Sequence, residues 1–290
     1  MSSNVELVNA ARSGDLKKVD ELLLAGADVD GFDDLGRTAL IRAVMGGHRE
    51  VIDRLLSAGA DIELANRPEE QTPTWIASQR GRVDVLQTLL QRGGQCLRPA
   101  KNGQTPLRIA SQMGHAEAAS ILLKAGADPN VPDSDGWLPI WLASFNGHKS
   151  TVITLLEAKA QTDKLNHEGL GALYFAIQND HPETVDVLLT SGANPNVKDK
   201  EGVTPLIRVA EKKLLRLVNP LIERGAVVDE VDDYGRSPLW ISSQMNCQEA
   251  SDEAAGADPR LVCDKTSAAD ITTDEDVRHI MLEALKKYTE

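Results

Sequence analysis

Aromatic side chains are scarce in this sequence, at 3% of residues, which argues against a β-sandwich or barrel built on large rings. Cysteine is nearly as rare. The three thiols, Cys96, Cys247 and Cys263, share no metal-type spacing and leave one over under any pairing, so a disulfide framework is excluded. Free thiols in a reducing compartment are expected, which places the protein in the cytoplasm, with the nucleus also open. Positive charge is in deficit, 31 basic against 44 acidic residues for a net of −13, so the average surface repels phosphate backbones and anionic lipid head groups. Neither nucleic acid nor membrane is an expected partner. No apolar run approaches the roughly 18 residues of a membrane helix. The start, Met1 to Glu6, has no basic stretch followed by an apolar core, so secretion is not signalled.

What the sequence does have is a period. Gly-Ala pairs begin at Gly26, Gly59, Gly126, Gly192, Gly225 and Gly256, and Gly93 and Lys159 fill the two missing slots of a 33-residue beat. One residue is inserted before Gly93. A second series, Thr38, Thr72, Thr105, Leu138, Gly171, Thr204 and Ser237, keeps the same beat, with proline following at 73, 106, 139, 205 and 238. These seven positions number repeats one to seven below.

Each marker has a mechanical purpose. The Thr or Ser hydroxyl caps a first helix, and proline sits in the first turn, where no amide donor is needed. About nine residues later Gly47, Gly81, Gly114 and Gly147 permit a tight turn, followed by His48, His115, His148 and, in repeat five, His181. A second helix with paired leucines, such as Leu55-Leu56 and Leu122-Leu123, then stops at the Gly of Gly-Ala. The Asp-x-x-Gly segments, Asp33 to Gly36, Asp133 to Gly136, Asp199 to Gly202 and Asp232 to Gly235, read as turns projecting between repeats.

These residues resemble the ankyrin repeat, and Lys101 to Asp128 follows its signature almost throughout, with Gly103, Thr105-Pro106-Leu107, Ala110, Gly114-His115, Leu122-Leu123 and Gly126-Ala127-Asp128. The resemblance implies an all-α ankyrin-repeat solenoid of helix-turn-helix units joined by short β-hairpin-like turns. The expected organisation is one domain over 1–290: an N-terminal cap over 1–31, seven repeats over 32–260 and a C-terminal cap over 261–290. Val277, Ile280, Met281, Ala284, Leu285 and Tyr288 follow helical spacing and suit that last role.

Several slots break the pattern. Lys159 stands where glycine adopts positive φ, and Gly171-Ala172 gives up the helix cap. Lys213-Leu214 replaces the Gly-His turn, and Pro220 falls inside a second helix, which it should kink or shorten. Repeat seven lacks its leucine pair. Residues 211–260 are therefore expected to be the least stable stretch.

No catalytic chemistry is signalled. Four of the six histidines occupy the repeated turn slot, which reads as structural, and the cysteines have no sequence partner that would make a nucleophile. Gly147-His148-Lys149-Ser150 lacks the spacing of a phosphate loop, and Asp133 to Gly136 lacks the flanking ligands of a calcium loop. No enzyme, cofactor or metal is expected.

Function then falls to positions the repeat leaves free: the turn tips and the exposed side of the first helices, which by the resemblance line a concave groove. Trp137, Phe145, Leu170 and Met113 are large apolar residues at slots that need not be apolar, and Arg80, Gln112, Asn146 and Gln178 surround them with polar groups. Two readings stay open for Trp137 and Leu170, an anchor for a partner or packing between neighbouring hairpins. Trp75, Trp141 and Trp240 share one slot with Tyr174; family members usually place histidine there to tie adjacent repeats, so the rings are expected to fill between repeats. The resulting expectation is a non-enzymatic adaptor or scaffold, a monomer by itself, gripping a protein partner in the groove. The alternatives are a stoichiometric inhibitor or regulatory subunit of an enzyme, and a fragment of a larger multidomain enzyme.

Overall fold

The computed structural model of the chain describes residues 3–238 and 240–242. The C-terminal cap, Cys247, Cys263 and the 243–260 part of the stretch expected to be least stable lie outside the described residues. The first helices are α1 (Ser3–Ser13), α3 (Ala39–Gly46), α5 (Pro73–Arg80), α7 (Pro106–Gln112), α9 (Pro139–Phe145), α11 (Ala172–Gln178) and α13 (Pro205–Glu211). The second helices are α2 (Leu16–Leu24), α4 (Arg49–Ser57), α6 (Val83–Gln91), α8 (Ala116–Lys124), α10 (Lys149–Glu157), α12 (Pro182–Thr190) and α14 (Val218–Glu223). The chain divides into two compact units, Met1–Ala143 with Ser150–Ala160, and Ser144–Lys149 with Gln161–Glu290.

The helix starts follow from the hydroxyl slot. Thr38, Thr72, Thr105 and Thr204 each accept the amide of the residue three positions on, as Thr72 does from Trp75 at 3.1 Å, satisfying a donor that the helix itself leaves open. Gly171 has no such bond. Its missing Cβ is matched by a neighbour, because Leu165 Cδ2 would stand 2.9 Å from a Cβ built there. A cavity of about 30 Å³ beside this cap is lined by Leu165, Gly171, Tyr174 and Val203 among others.

The turn slot is equally regular. Gly47, Gly81, Gly114 and Gly147 have φ between 62 and 78°, and Asp180 and Lys213 hold φ of 58 and 57° in the same slot without being glycine. Lys159 is left-handed too, at φ 67°, a conformation that costs a side-chain-bearing residue about 1–2 kcal/mol. The left-handed conformation of the turn thus does not by itself require glycine.

Within the first compact unit α1 packs on α2 and α3, α3 on α4 and α5, and α5 on α6 and α7; within the second α11 packs on α12 and α13. The core repeats with the sequence: Leu7, Ala43, Ala77 and Ala110 on first helices and Val19, Ile52, Leu86 and Ala119 on second helices are all buried. Burying a leucine-sized side chain stabilises by roughly 1.5–3 kcal/mol, so this periodic apolar face is the main source of stability. Pro220 has the consequence expected of it: a short 3₁₀ turn over Leu215–Leu217 replaces the start of the second helix, and α14 is six residues long.

Candidate partner-binding surface

The hairpins between repeats are built on one side chain each. Asp33 Oδ1 accepts the amides of Leu35 and Arg37 at 3.0 and 2.8 Å, while the Gly36 amide donates to the Asp33 carbonyl. Asp133, Asn166, Asp199 and Asp232 repeat the arrangement. In the second hairpin Asn66 accepts from Gln71, and the residue inserted before Gly93 lies in this wider loop. Successive tips are joined, with the Arg67 amide donating to the Gly36 carbonyl, Lys101 to Glu69, Lys200 to Glu168 and Asp233 to Glu201, at 2.8 to 3.0 Å.

Two further bonding series join neighbouring repeats, and neither was readable residue by residue from the sequence. His48, His115 and His181 place Nε2 3.0 to 3.1 Å from the carbonyl oxygens of Arg12, Gln79 and Phe145, which only accept, so Nε2 carries the proton in each. Each ring also lies against a turn glycine, at 14, 81 and 147, leaving no room for a Cβ. Beneath the hairpins, Asp30, Glu63 and Asp163 accept amides of Asp61, Gln95 and Asn194, and Asn196 bonds to both Val227 and Gly225. The 33-residue spacing of Asp30, Glu63, Asp163 and Asn196 was the available signal. Burial, with the charges of Asp61 and Asp28 nearby, pushes the Asp30 carboxyl up.

Arginines on first helices pair with hairpin carboxylates, within one repeat for Arg42 and Arg208 and across to the next repeat for Arg108. Arg42 reaches Asp33 at 2.7 Å, Arg108 reaches Asp133 at 2.9 Å and Arg208 reaches Asp199 at 3.1 Å. Burial alone would raise the Asp33 carboxyl, but the Arg42 guanidinium and the Arg37 and Leu35 amides outweigh it and hold Asp33 below the usual carboxylate range. Asp232, paired with Arg236 at 2.7 Å, is held low for the same reasons, against the same burial. Arg108 occupies the slot of Trp75, whose indole Nε1 donates to the Gln104 carbonyl at 2.9 Å, so both side chains bridge to the next hairpin. Trp75 and Trp141 are buried as inter-repeat filler should be, whereas Trp240 is 40% exposed.

The positions proposed for partner contact separate into two groups. Arg80, Met113, Phe145 and Asn146 are exposed, Met113 and Phe145 by 41 and 42%. Gln112, Trp137, Leu170 and Gln178 are half-buried. Gln112 Oε1 accepts from the Arg108 guanidinium, and Trp137 packs edge-on against Trp141 with centroids 6.3 Å apart, so both carry structural contacts. In the first compact unit the exposed members are Arg80 and Met113, at the ends of α5 and α7. In the second, Phe145 lies edge-on to Phe175 at 6.3 Å, Phe175 meets Tyr174 at 5.6 Å, and Tyr174 carries the Arg208 guanidinium 5.2 Å above its ring. These contacts tie Phe145 at the end of α9 to α11 and α13 within the second unit, with Tyr174 filling between repeats. Among the described residues no group of three or more His, Cys, Asp or Glu side chains could hold a metal, and no helix is long and apolar enough to cross a membrane. Cys96 is a free thiol whose Sγ donates to the Ala125 carbonyl, with its pKa pushed up by burial.

Helix pairs capped by Thr-Pro, turned at Gly-His and joined by Asp-x-x-Gly hairpins are matched by the family model for ankyrin repeats (3 copies) over residues 7–100, 54–133, 81–168, 125–199 and 173–253. The chain belongs to the ankyrin-repeat family. A search of curated proteins finds no match to the sequence. Ankyrin repeats generally mediate protein–protein interaction, and the features above suit that role: the hairpins and the ends of first helices vary from repeat to repeat, while the ties beneath them recur.

Proposed function

We propose that this ankyrin-repeat protein is a non-enzymatic adaptor that binds a protein partner through the ends of its first helices, with Met113 and Phe145 as apolar anchors. The observation that supports the reading most directly is their exposure. Both close a first helix at slots where Gln79, Arg80, Gln178 or Lys212 stand in other repeats, with Met45 the apolar case in repeat one, so the fold does not require an apolar residue there. Arg80 and Asn146 would supply a polar rim in the respective units. Trp137 and Leu170 remain part of the proposed contact set at its half-buried margin.

The test is affinity purification with the wild-type protein beside Met113→Ala and Phe145→Ala variants, each checked by circular dichroism. Loss of a specific bound protein from a folded variant is expected, by about tenfold or more in Kd when an anchor is removed. Retention of every bound protein by both folded variants would overturn the assignment. Assay of a captured enzyme with and without the ankyrin protein then separates an adaptor from an inhibitor.

A further inference from the structure

Repeat six keeps the backbone of the histidine tie and has lost its side chain. Leu214 has φ −86° and ψ 58°, beside −82° and 80° at His48 and −86° and 75° at His115, and Lys213 holds the left-handed φ that glycine holds before those histidines. Each histidine bonds to the carbonyl 36 residues earlier, which for position 214 is Gln178. Leucine has no donor to offer it. The Gln178 Oε1 atom is itself buried without a hydrogen-bond partner, as is the Arg208 Nε, so polar groups on both sides of this junction are left unsatisfied.

Charge pairs fasten the repeat on both sides. Towards repeat five run Arg216 to Asp180 and Lys200 to Glu168, the latter at 2.8 Å; towards repeat seven run Lys198 to Glu230 and Arg236 to Glu211, the last at 3.9 Å. Glu211 is shared with Arg208 at 2.7 Å, and Arg236 is shared with Asp232. Most of these side chains are more than a third exposed: Arg216 56% and Asp180 43%, Lys200 56% and Glu168 46%, Lys198 42% and Glu230 36%. Attraction between such groups falls steeply as the Debye length shrinks from about 10 Å in 0.1 M salt to about 3 Å in 1 M. The short α14 and the 3₁₀ turn before it leave less second-helix surface to compensate.

We infer that repeat six is a salt-sensitive joint within the second compact unit, fastened by screenable ion pairs where repeats one, three and five use a histidine, and the first described repeat to loosen as ionic strength rises. Exposed ion pairs also run between second helices of the first unit, Asp20 to Arg54 and Asp53 to Arg92, but α7 and α8 there flank the intact His115 tie and serve as the internal reference.

Hydrogen exchange of the purified full chain tests this. Raising salt from about 20 mM to about 1 M is expected to lower amide protection in α13 and α14 by roughly fivefold or more, with α7 and α8 changing by less than about twofold. Two variants bracket the cause. Glu211→Gln should show, already at low salt, part of the protection loss that the wild type shows at high salt. Asp180→Gly with Lys213→Gly and Leu214→His, which clears the Cβ that the new ring would meet 34 residues earlier, should replace one screenable pair with the tie and blunt the salt response. Equal salt responses in α7–α8 and α13–α14, or a restored-tie variant as salt-sensitive as the wild type, would overturn the inference.

Discussion

At the scale of single residues, Asp33 shows how one carboxylate can do two jobs. Oδ1 closes the hairpin and Oδ2 receives the Arg42 guanidinium through two bonds, in a pair whose side chains are each only 10% exposed. Asn66 and Asn166 occupy the same slot and keep the hairpin bonds, so Asp33→Asn should preserve the turn and strand Arg42. The expected loss is about 3 kcal/mol at neutral pH, the cost of breaking a buried pair from one side. Because Asp33 is held below the usual carboxylate range, its contribution is present above the unfolded value near pH 4 and disappears as pH falls through the folded one. The gap between wild type and Asp33→Asn, measured by urea unfolding, should therefore close as pH is lowered into the acid range. A gap that stays constant down to pH 2 or so would contradict the assignment.

At the scale of the element, the helices were legible because their signals are local. Thr-Pro at a helix start, a left-handed turn at its end and the leucine pair of the second helix each act within a few residues of where they stand. The joint turned out subtler than the break in the pattern suggested, because Lys213 adopts the turn conformation that glycine was expected to supply. What could not be read was whatever depends on two repeats at once. His115 reads as a turn residue, yet its ring nitrogen bonds to Gln79 and its ring lies on Gly81, a repeat away. Arg108 reads as an exception in a tryptophan slot until Asp133 is found opposite it. The candidate surface suffered from the same limit: Met113 and Phe145 are exposed as expected, while Trp137 is held against Trp141 by a packing that spacing alone left open. Removing one tie tests its weight. His115→Ala deletes a hydrogen bond worth about 1 kcal/mol and some ring burial, so a loss of about 2 kcal/mol with an unchanged urea m-value is expected. A change within a few tenths would mean that the ring only fills space another side chain fills equally well.

At the scale of the molecule, the chain is a series of similar repeats whose constant parts hold it together and whose variable parts are free to meet something else. A net charge of −13 disfavours a polyanion and would favour, for the proposed partner, a protein with basic or mixed surface. Site-specific photocrosslinking in source-cell lysate asks most directly whether the helix ends are where that partner sits. A crosslinking residue replaces Met113 or Phe145 in turn, and Ser120 on α8 or Ile153 on α10 in control proteins. One protein crosslinked from positions 113 and 145 and not from 120 or 153 is the predicted result. Crosslinks from the second-helix controls to that protein, with none from 113 or 145, would contradict the account.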